Sequence, residues 1–137
     1  MSLFVDSSVW FAAVNAADAS NKRAKAVLSS GEALVTSEHI LIETWSLLHK
    51  KLGRKPAERF WELLRRGIAV VEPVGSADFE TAWRIGQAFP DQEFSIVDRT
   101  SFAVMQRLGI ERAASFDADF ATFRYGPGRR RAFTIVR

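Results

Sequence analysis

The chain has no cysteine, which excludes disulfides, zinc–thiolate sites and thiol nucleophiles and agrees with a reducing cytosol. Histidine is nearly as scarce. The two present, His39 and His49, share one helical stretch and read as ordinary helix residues. No segment approaches the roughly 20 apolar residues that a membrane-spanning helix needs. The start, Met1-Ser2-Leu3-Phe4-Val5-Asp6, lacks a basic flank, and its apolar run is too short for a signal peptide. Linkers, internal repeats and low-complexity stretches are also missing, so one domain over 1–137 and a cytoplasmic location are expected. What is present is the composition of a globular protein, 47% apolar and 26% charged, at a length that can bury a core without staples.

Acidic and basic residues balance over most of the chain. Residues 1–91 carry 11 Lys/Arg and 11 Asp/Glu, whereas 92–137 carry 8 Arg against 5 acids, the whole of the net +3. Arg124, Arg129, Arg130, Arg131 and Arg137 sit in a final stretch with no acid at all. A local basic cluster on a balanced domain suggests an anionic partner such as nucleic acid. A solvated C-terminal segment explains the same charges.

Patterning alternates strand and helix. Short apolar strands are expected at 2–6, 33–36, 68–72 and 112–116, with a fifth at 132–136. Helices are expected at 7–15, 22–30, from 37 or 38 to 52, from about Pro56 to Gly67, and at 76–89 and 96–108. Gly53 and Gly109 stand as C-caps, and 126–128 as a loop. Short apolar strands separated by helices imply βαβ units and a parallel sheet covered on both faces, an α/β fold.

The carboxylates carry the chemistry. Asp6 follows the first strand and Asp117 the fourth, and the carboxyl ends of strands in an open parallel sheet form the ligand crevice. An Asp before a helix is also a good N-cap. Asp98 lies in the first turn of its helix on the face shared with Phe102 and Met105, where Ser95-Ile96-Val97-Asp98 also reads as a capping box. Glu43 rides the edge of a stripe made by Leu41, Trp45, Leu48 and Leu52, where it could equally reach out to water. Together, four carboxylates in one crevice would raise one another's pKa values, and a divalent cation would remove that penalty. Oxygen-only ligands suit Mg²⁺ or Mn²⁺ rather than Zn²⁺. Asp119 is a further candidate ligand, or the N-terminal acid of a short following segment.

Four stretches then point to a family: Phe4-Val5-Asp6-Ser7-Ser8, Ile40-Leu41-Ile42-Glu43-Thr44, the run from Ser95 through Asp98 to Met105, and Ala114-Ser115-Phe116-Asp117-Ala118-Asp119-Phe120. In this order and spacing the chain resembles PIN domains over essentially its whole length, particularly the VapC-type toxins of bacterial toxin–antitoxin pairs. The resemblance implies a Rossmann-like three-layer fold with a five-stranded parallel sheet and an RNA-cleaving site holding Mg²⁺ or Mn²⁺. The family's acidic quartet falls on Asp6, Glu43, Asp98 and Asp117, with Ser115 near the metal and Asp119 at a position acidic in some members. A homodimer and a small VapB-like antitoxin that blocks the site are implied as well. The Arg-rich segment is not part of the family's motifs.

The expected chemistry is metal-assisted phosphodiester hydrolysis. Asp6, Asp98 and Asp117 would be direct ligands, and Glu43 a ligand or an acceptor orienting the attacking water. A phosphatase of the HAD type would also place Asp6 after its first strand, but such enzymes usually need a second Asp two residues on, where Ser8 stands. A catalytically degenerate nucleic-acid-binding module would be marked by a missing acid, and none of the four is missing. In the expected fifth strand, alternation would project Arg129 and Arg131 together and Arg130 away, so Arg129 and Arg131 are the RNA-phosphate candidates.

Overall fold

The computed structural model describes all residues 1–137. Five short strands, β1 (Ser2–Val5), β2 (Ala33–Ser37), β3 (Val70–Glu72), β4 (Arg112–Ala114) and β5 (Thr134–Val136), form one sheet in the order β3-β2-β1-β4-β5. All pairings are parallel, with Phe4 beside Val35 on one flank and beside Ala113 on the other. Seven helices connect them: α1 (Ser7–Val14), α2 (Asn21–Leu28), α3 (Glu38–Leu52), α4 (Arg54–Arg65), α5 (Ser76–Ala88), α6 (Ile96–Leu108) and the one-turn α7 (Asp119–Thr122).

The central strand explains why its sequence is apolar without alternation. Leu3, Phe4 and Val5 are all fully buried, because helices cover both faces. Phe4 packs on Phe120 at 6.3 Å between ring centroids. Phe102 stacks on Phe123 at 4.3 Å and meets Phe94 and Phe120 edge-on. Trp10 of α1 packs against Phe60 of α4. These side chains belong to one continuous core.

Connectivity fixes where a ligand can sit. From β1 the chain steps outward through β2 to β3, then crosses to the opposite flank of β1 for β4 and β5. Between the carboxyl ends of β1 and β4 the crossovers leave in opposite directions, which opens a crevice there. Asp6 and Ser115 are the first residues beyond those two strands.

The expected elements are all present, but several strands are shorter than the apolar runs suggested. β3 begins at Val70, not 68. β4 stops at Ala114 rather than 116, since its pairing with β1 ends at Val5↔Ala114. β5 begins at Thr134, not 132, matching the register in which Arg112 pairs with Thr134. The stretch before it, expected as plain loop, holds a 3₁₀ turn at Pro127–Arg129 and an antiparallel bridge between Tyr125 and Arg131. Asn21 opens α2 because its side-chain amide donates to the carbonyls of Ala12, Ala13 and Asn15, which tethers α2 to the end of α1. Gly109 ends α6 with φ 68°, a left-handed C-cap that favours glycine.

Candidate active site

Asp6 occupies the N-cap position of α1, yet its side chain makes no capping bond. It turns into the crevice instead. Oδ2 accepts from Ser8 Oγ at 2.9 Å and from Ser115 Oγ at 2.8 Å, with Ser7 Oγ 3.4 Å from Oδ1. The residue is only 3% exposed. Burial raises its pKa, the three serines counteract this in part, and nearby Glu43 adds to the rise.

The same serines latch two loops together. Ser115 Oγ accepts from the Asp117 backbone N–H at 3.1 Å, and Ser8 Oγ accepts from the Phe116 N–H at 3.0 Å. The turn after β1 therefore holds the segment after β4 in place. Ser8 stands where a phosphatase would need its second Asp, and it serves as a donor to the first. Ser7 and Ser8 carried no assigned role in the sequence reading. The signal was there, in two hydroxyls directly after a strand-end Asp.

Glu43 joins from α3. The fully buried face of that helix runs along Ile40, Thr44 and Leu48; of the expected stripe Leu48 is in it, Leu41 and Trp45 pack against the core half-buried, and Leu52 is 39% exposed. On that face Glu43 flanks the core edge nearest the site, and its Oε1 accepts from Ser7 Oγ at 2.6 Å. Ser7 thus bridges Glu43 and Asp6.

Asp98 does two things. Its Oδ2 accepts from the Ser95 N–H at 3.1 Å while Ser95 Oγ accepts from the Asp98 N–H at 3.0 Å, so the capping box is real. The other carboxylate oxygen is left for the crevice. Asp98 is 9% exposed. Burial first, then a hydrogen bond shared with Asp119 and the charges of Asp6 and Asp119, push its pKa up to about 7.

Asp117 is exposed at the rim, and its Oδ1 accepts from the Asp119 N–H at 3.0 Å. Carboxylate oxygens of Asp98, Asp117 and Asp119 all lie within 4.8 Å of one another. Asp119 is therefore in the tight cluster as well as opening α7 as the expected N-terminal acid. Asp6 and Glu43 stand beside this triad rather than in it. None of the five carboxylates forms an ion pair with Lys, Arg or His. Carboxylates this close together and without an ion-pair partner, with no nitrogen or sulfur donor among them, fit a hard divalent cation.

The C-terminal arginines differ from expectation. Because β5 starts only at Thr134, Arg129, Arg130 and Arg131 are not in a strand, and strand alternation cannot pair Arg129 with Arg131. Arg129 has φ 51° in the 3₁₀ turn, and its guanidinium lies 5.1 Å from the Phe89 ring and 3.4 Å from the Ala88 carbonyl. Arg131 bridges Tyr125 through the backbone. Arg124 donates to the carbonyls of Ala121, Thr122 and Phe123. Part of this basic cluster is thus engaged within the fold.

Comparison with known proteins bears on the same surface. A PIN domain family model matches residues 3–124. The chain is 40% identical over 120 residues to the 23S rRNA-specific endonuclease VapC20 of Mycobacterium tuberculosis, which covers 87% of this chain and 92% of that protein. It superposes on the crystal structure of Mycobacterium tuberculosis VapC20, described as a Sarcin–Ricin loop cleaving toxin, with a TM-score of 0.81 and 38% identity over 85% of this chain and 91% of the other. A toxin–antitoxin complex from Klebsiella pneumoniae shares the fold at a TM-score of 0.67 and 16% identity, covering 89% and 92% of the two chains.

Proposed function

The chain belongs to the PIN-domain family, and from that premise we propose that it is a metal-dependent endoribonuclease, the toxin of a VapBC-type pair. Its substrate class would be structured RNA of the ribosomal kind for which its 40%-identical relative is named. One observation carries the reading: Asp98, Asp117 and Asp119 converge within 4.8 Å at the carboxyl edge of the sheet, beside a buried Asp6, with no Lys, Arg or His side chain paired to any of them.

Mg²⁺ or Mn²⁺ is the ion that this oxygen-only set suits, held by Asp6, Asp98 and Asp117 with Asp119 and Glu43 close by. When bound, such an ion lowers the pKa of a water and neutralises charge on the phosphate. The chain's own residues do the positioning. Ser8 and Ser115 fix the Asp6 carboxylate with two bonds to a single oxygen, leaving Oδ1 the freer acceptor. Ser95 fixes Asp98 in the same way through Oδ2. Glu43, held by Ser7, is placed to accept a proton from a water attacking the phosphorus. Attack by water leaves a 5′-phosphate and a 3′-hydroxyl. A small antitoxin covering the crevice and a homodimer complete the proposal.

The test is cleavage of ribosomal RNA by the purified chain. Cleavage should stop in EDTA, return with Mg²⁺ or Mn²⁺, and fall by at least about 100-fold in Asp6→Asn, Asp98→Asn and Asp117→Asn, the scale of losing a group that acts in the transition state. Full activity in these variants would mean that the acids hold no ion; for Asp98, where asparagine keeps the cap acceptor, it would mean that the acid only caps. Cleavage that survives thorough chelation would refute metal dependence.

A further inference from the structure

Arg23 lies on the solvent side of α2, and its guanidinium carbon is 4.9 Å from the centroid of the Phe116 ring. Phe116 is the residue between Ser115, which holds Asp6, and Asp117 of the acidic triad. Its backbone N–H is pinned to Ser8 Oγ at 3.0 Å. A half-buried aromatic ring is thus fixed at the lip of the acidic crevice with an arginine laid across it. Arg23 has no carboxylate partner; its one bond runs from Nη2 to Ser20 Oγ at 2.9 Å. Ring and hydroxyl hold the planar fork in one orientation and leave most of its five N–H donors unused.

The rest of the helix is basic as well. Helix α2 reads Asn21-Lys22-Arg23-Ala24-Lys25 and carries no acid. Lys22 and Lys25 are exposed and three residues apart, so they share one side of the helix, a side turned away from that of Arg23. Neither forms an ion pair. Counting charge along the sequence hid this face, because the first 91 residues balance overall.

We propose that Arg23, oriented on Phe116, is a binding residue that holds an RNA phosphate flanking the scissile one. This rests on the ribonuclease reading. Electrostatics favour this placement, since an acidic crevice repels the rest of a polyanion and needs a cationic anchor beside it. A guanidinium stacked on a ring presents its N–H edge outward in the geometry that grips phosphate oxygens bidentately. Arg129, by contrast, has its guanidinium drawn onto Phe89 and the end of α5.

The experiment measures affinity for a single-stranded oligoribonucleotide over a salt series, using full-length Asp117→Asn protein so that RNA is not consumed. Adding Arg23→Ala should weaken binding several-fold at low salt and lower the log–log salt slope by roughly 0.7, one phosphate contact on a single strand. Arg23→Lys should keep the slope but recover only part of the affinity, because a point charge replaces the fixed fork. Phe116→Leu should behave like Arg23→Lys, with the charge present and the platform gone. Lys51→Ala, an exposed change eight residues beyond Glu43 on α3, is the control. Thermal melts of each variant, unchanged within a few degrees, establish that folding is intact. If Arg23→Ala keeps the affinity and slope of the Lys51→Ala control, while the otherwise unaltered chain cleaves RNA with Mn²⁺, the inference fails and the ribonuclease reading stands. If the unaltered chain neither binds nor cleaves RNA, both fall together.

Discussion

At the scale of single residues, Asp98 shows how one side chain can cap a helix and belong to an acidic cluster together. One oxygen completes a capping box, and the carboxylate also lies within 4.8 Å of those of Asp117 and Asp119. Its raised pKa has a measurable consequence in metal-free protein. The folded value of about 7 lies above the ordinary 3.8, so the folded state binds more protons between those limits and stability falls as pH rises through that window. Asp6 shifts in the same direction. Two other acids shift the opposite way. Glu32 is held low by Arg112, and at Asp78 burial is outweighed by bonds from Arg107 and the Gly75 N–H. Their contribution is present above their unfolded pKa and is lost only in more acid solution, so they do not confuse a comparison made above pH 5. In EDTA, the protein should melt at a higher temperature at pH 5 than at pH 8. Asp98→Asn, which keeps the cap acceptor, should shrink that difference and raise the melting temperature at pH 8. A flat profile between pH 5 and 8 in the unsubstituted protein would contradict a raised pKa at Asp98.

At the scale of elements, Arg107 at the end of α6 does more joining than its exposed position suggests. Its Nε and Nη2 donate to the two oxygens of Asp78 in the first turn of α5 at 3.0 and 3.1 Å. Nη2 also donates to the Pro73 carbonyl just past β3 at 3.1 Å. Asp78 is 4% exposed and keeps only the Gly75 N–H without Arg107. Removing one partner of a buried pair leaves a charge unmatched, whereas a half-exposed guanidinium is already screened by water. Arg107→Ala should therefore cost about 1–3 kcal/mol in urea unfolding, less than for a fully buried pair. Adding Asp78→Asn should recover part of that loss, since the amide still accepts from Gly75. A double variant no more stable than Arg107→Ala would show that the loss came from packing of the arginine stem instead.

At the scale of the whole molecule, an ion held by the five carboxylates would couple its binding to folding. They come from the segments after β1 and β4 and from α3, α6 and α7, elements joined only in the native state, so an ion that bridges them would bind the folded chain and not the unfolded one. At a free ion concentration about 100 times its dissociation constant the gain is about 2.7 kcal/mol. For a chain of this size that is a rise in melting temperature of roughly 2–4 °C per kcal/mol. Thermal melts with Mg²⁺ or Mn²⁺ against EDTA should show the rise, and Asp117→Asn should largely abolish it. Equal rises in the variant and the parent would place the ion elsewhere. Because this readout needs no RNA, it tests the site independently of the substrate.

Much of this molecule is set by local rules that a chain carries in its sequence. Ser95 and Gly109 bracket α6 at the expected residues because capping depends on a handful of adjacent atoms. Apolar runs too short for helices announced a covered parallel sheet, and Asp6, Asp98 and Asp117 were visible as acids at strand ends and a helix start. Strand limits were not visible, since a strand lasts only as long as its neighbour, and Ala114 is the last residue that Val5 can pair. The choice between cap and ligand was also closed to the sequence. Asp6 declines the cap because Ser115, 109 residues away, offers it a hydroxyl at 2.8 Å, and Asp98 accepts the cap with one oxygen only. Arg129 and Arg131 looked free because like charges in a row suggest a solvated strand, while the tertiary fold turns that stretch back onto Phe89 and Tyr125. Arg23 meets Phe116, 93 residues away, a contact made only when α2 folds over the loop after β4. Short-range chemistry is written in neighbouring residues, whereas charge neutralisation and the meeting of distant side chains depend on distances that exist only once the sheet has closed.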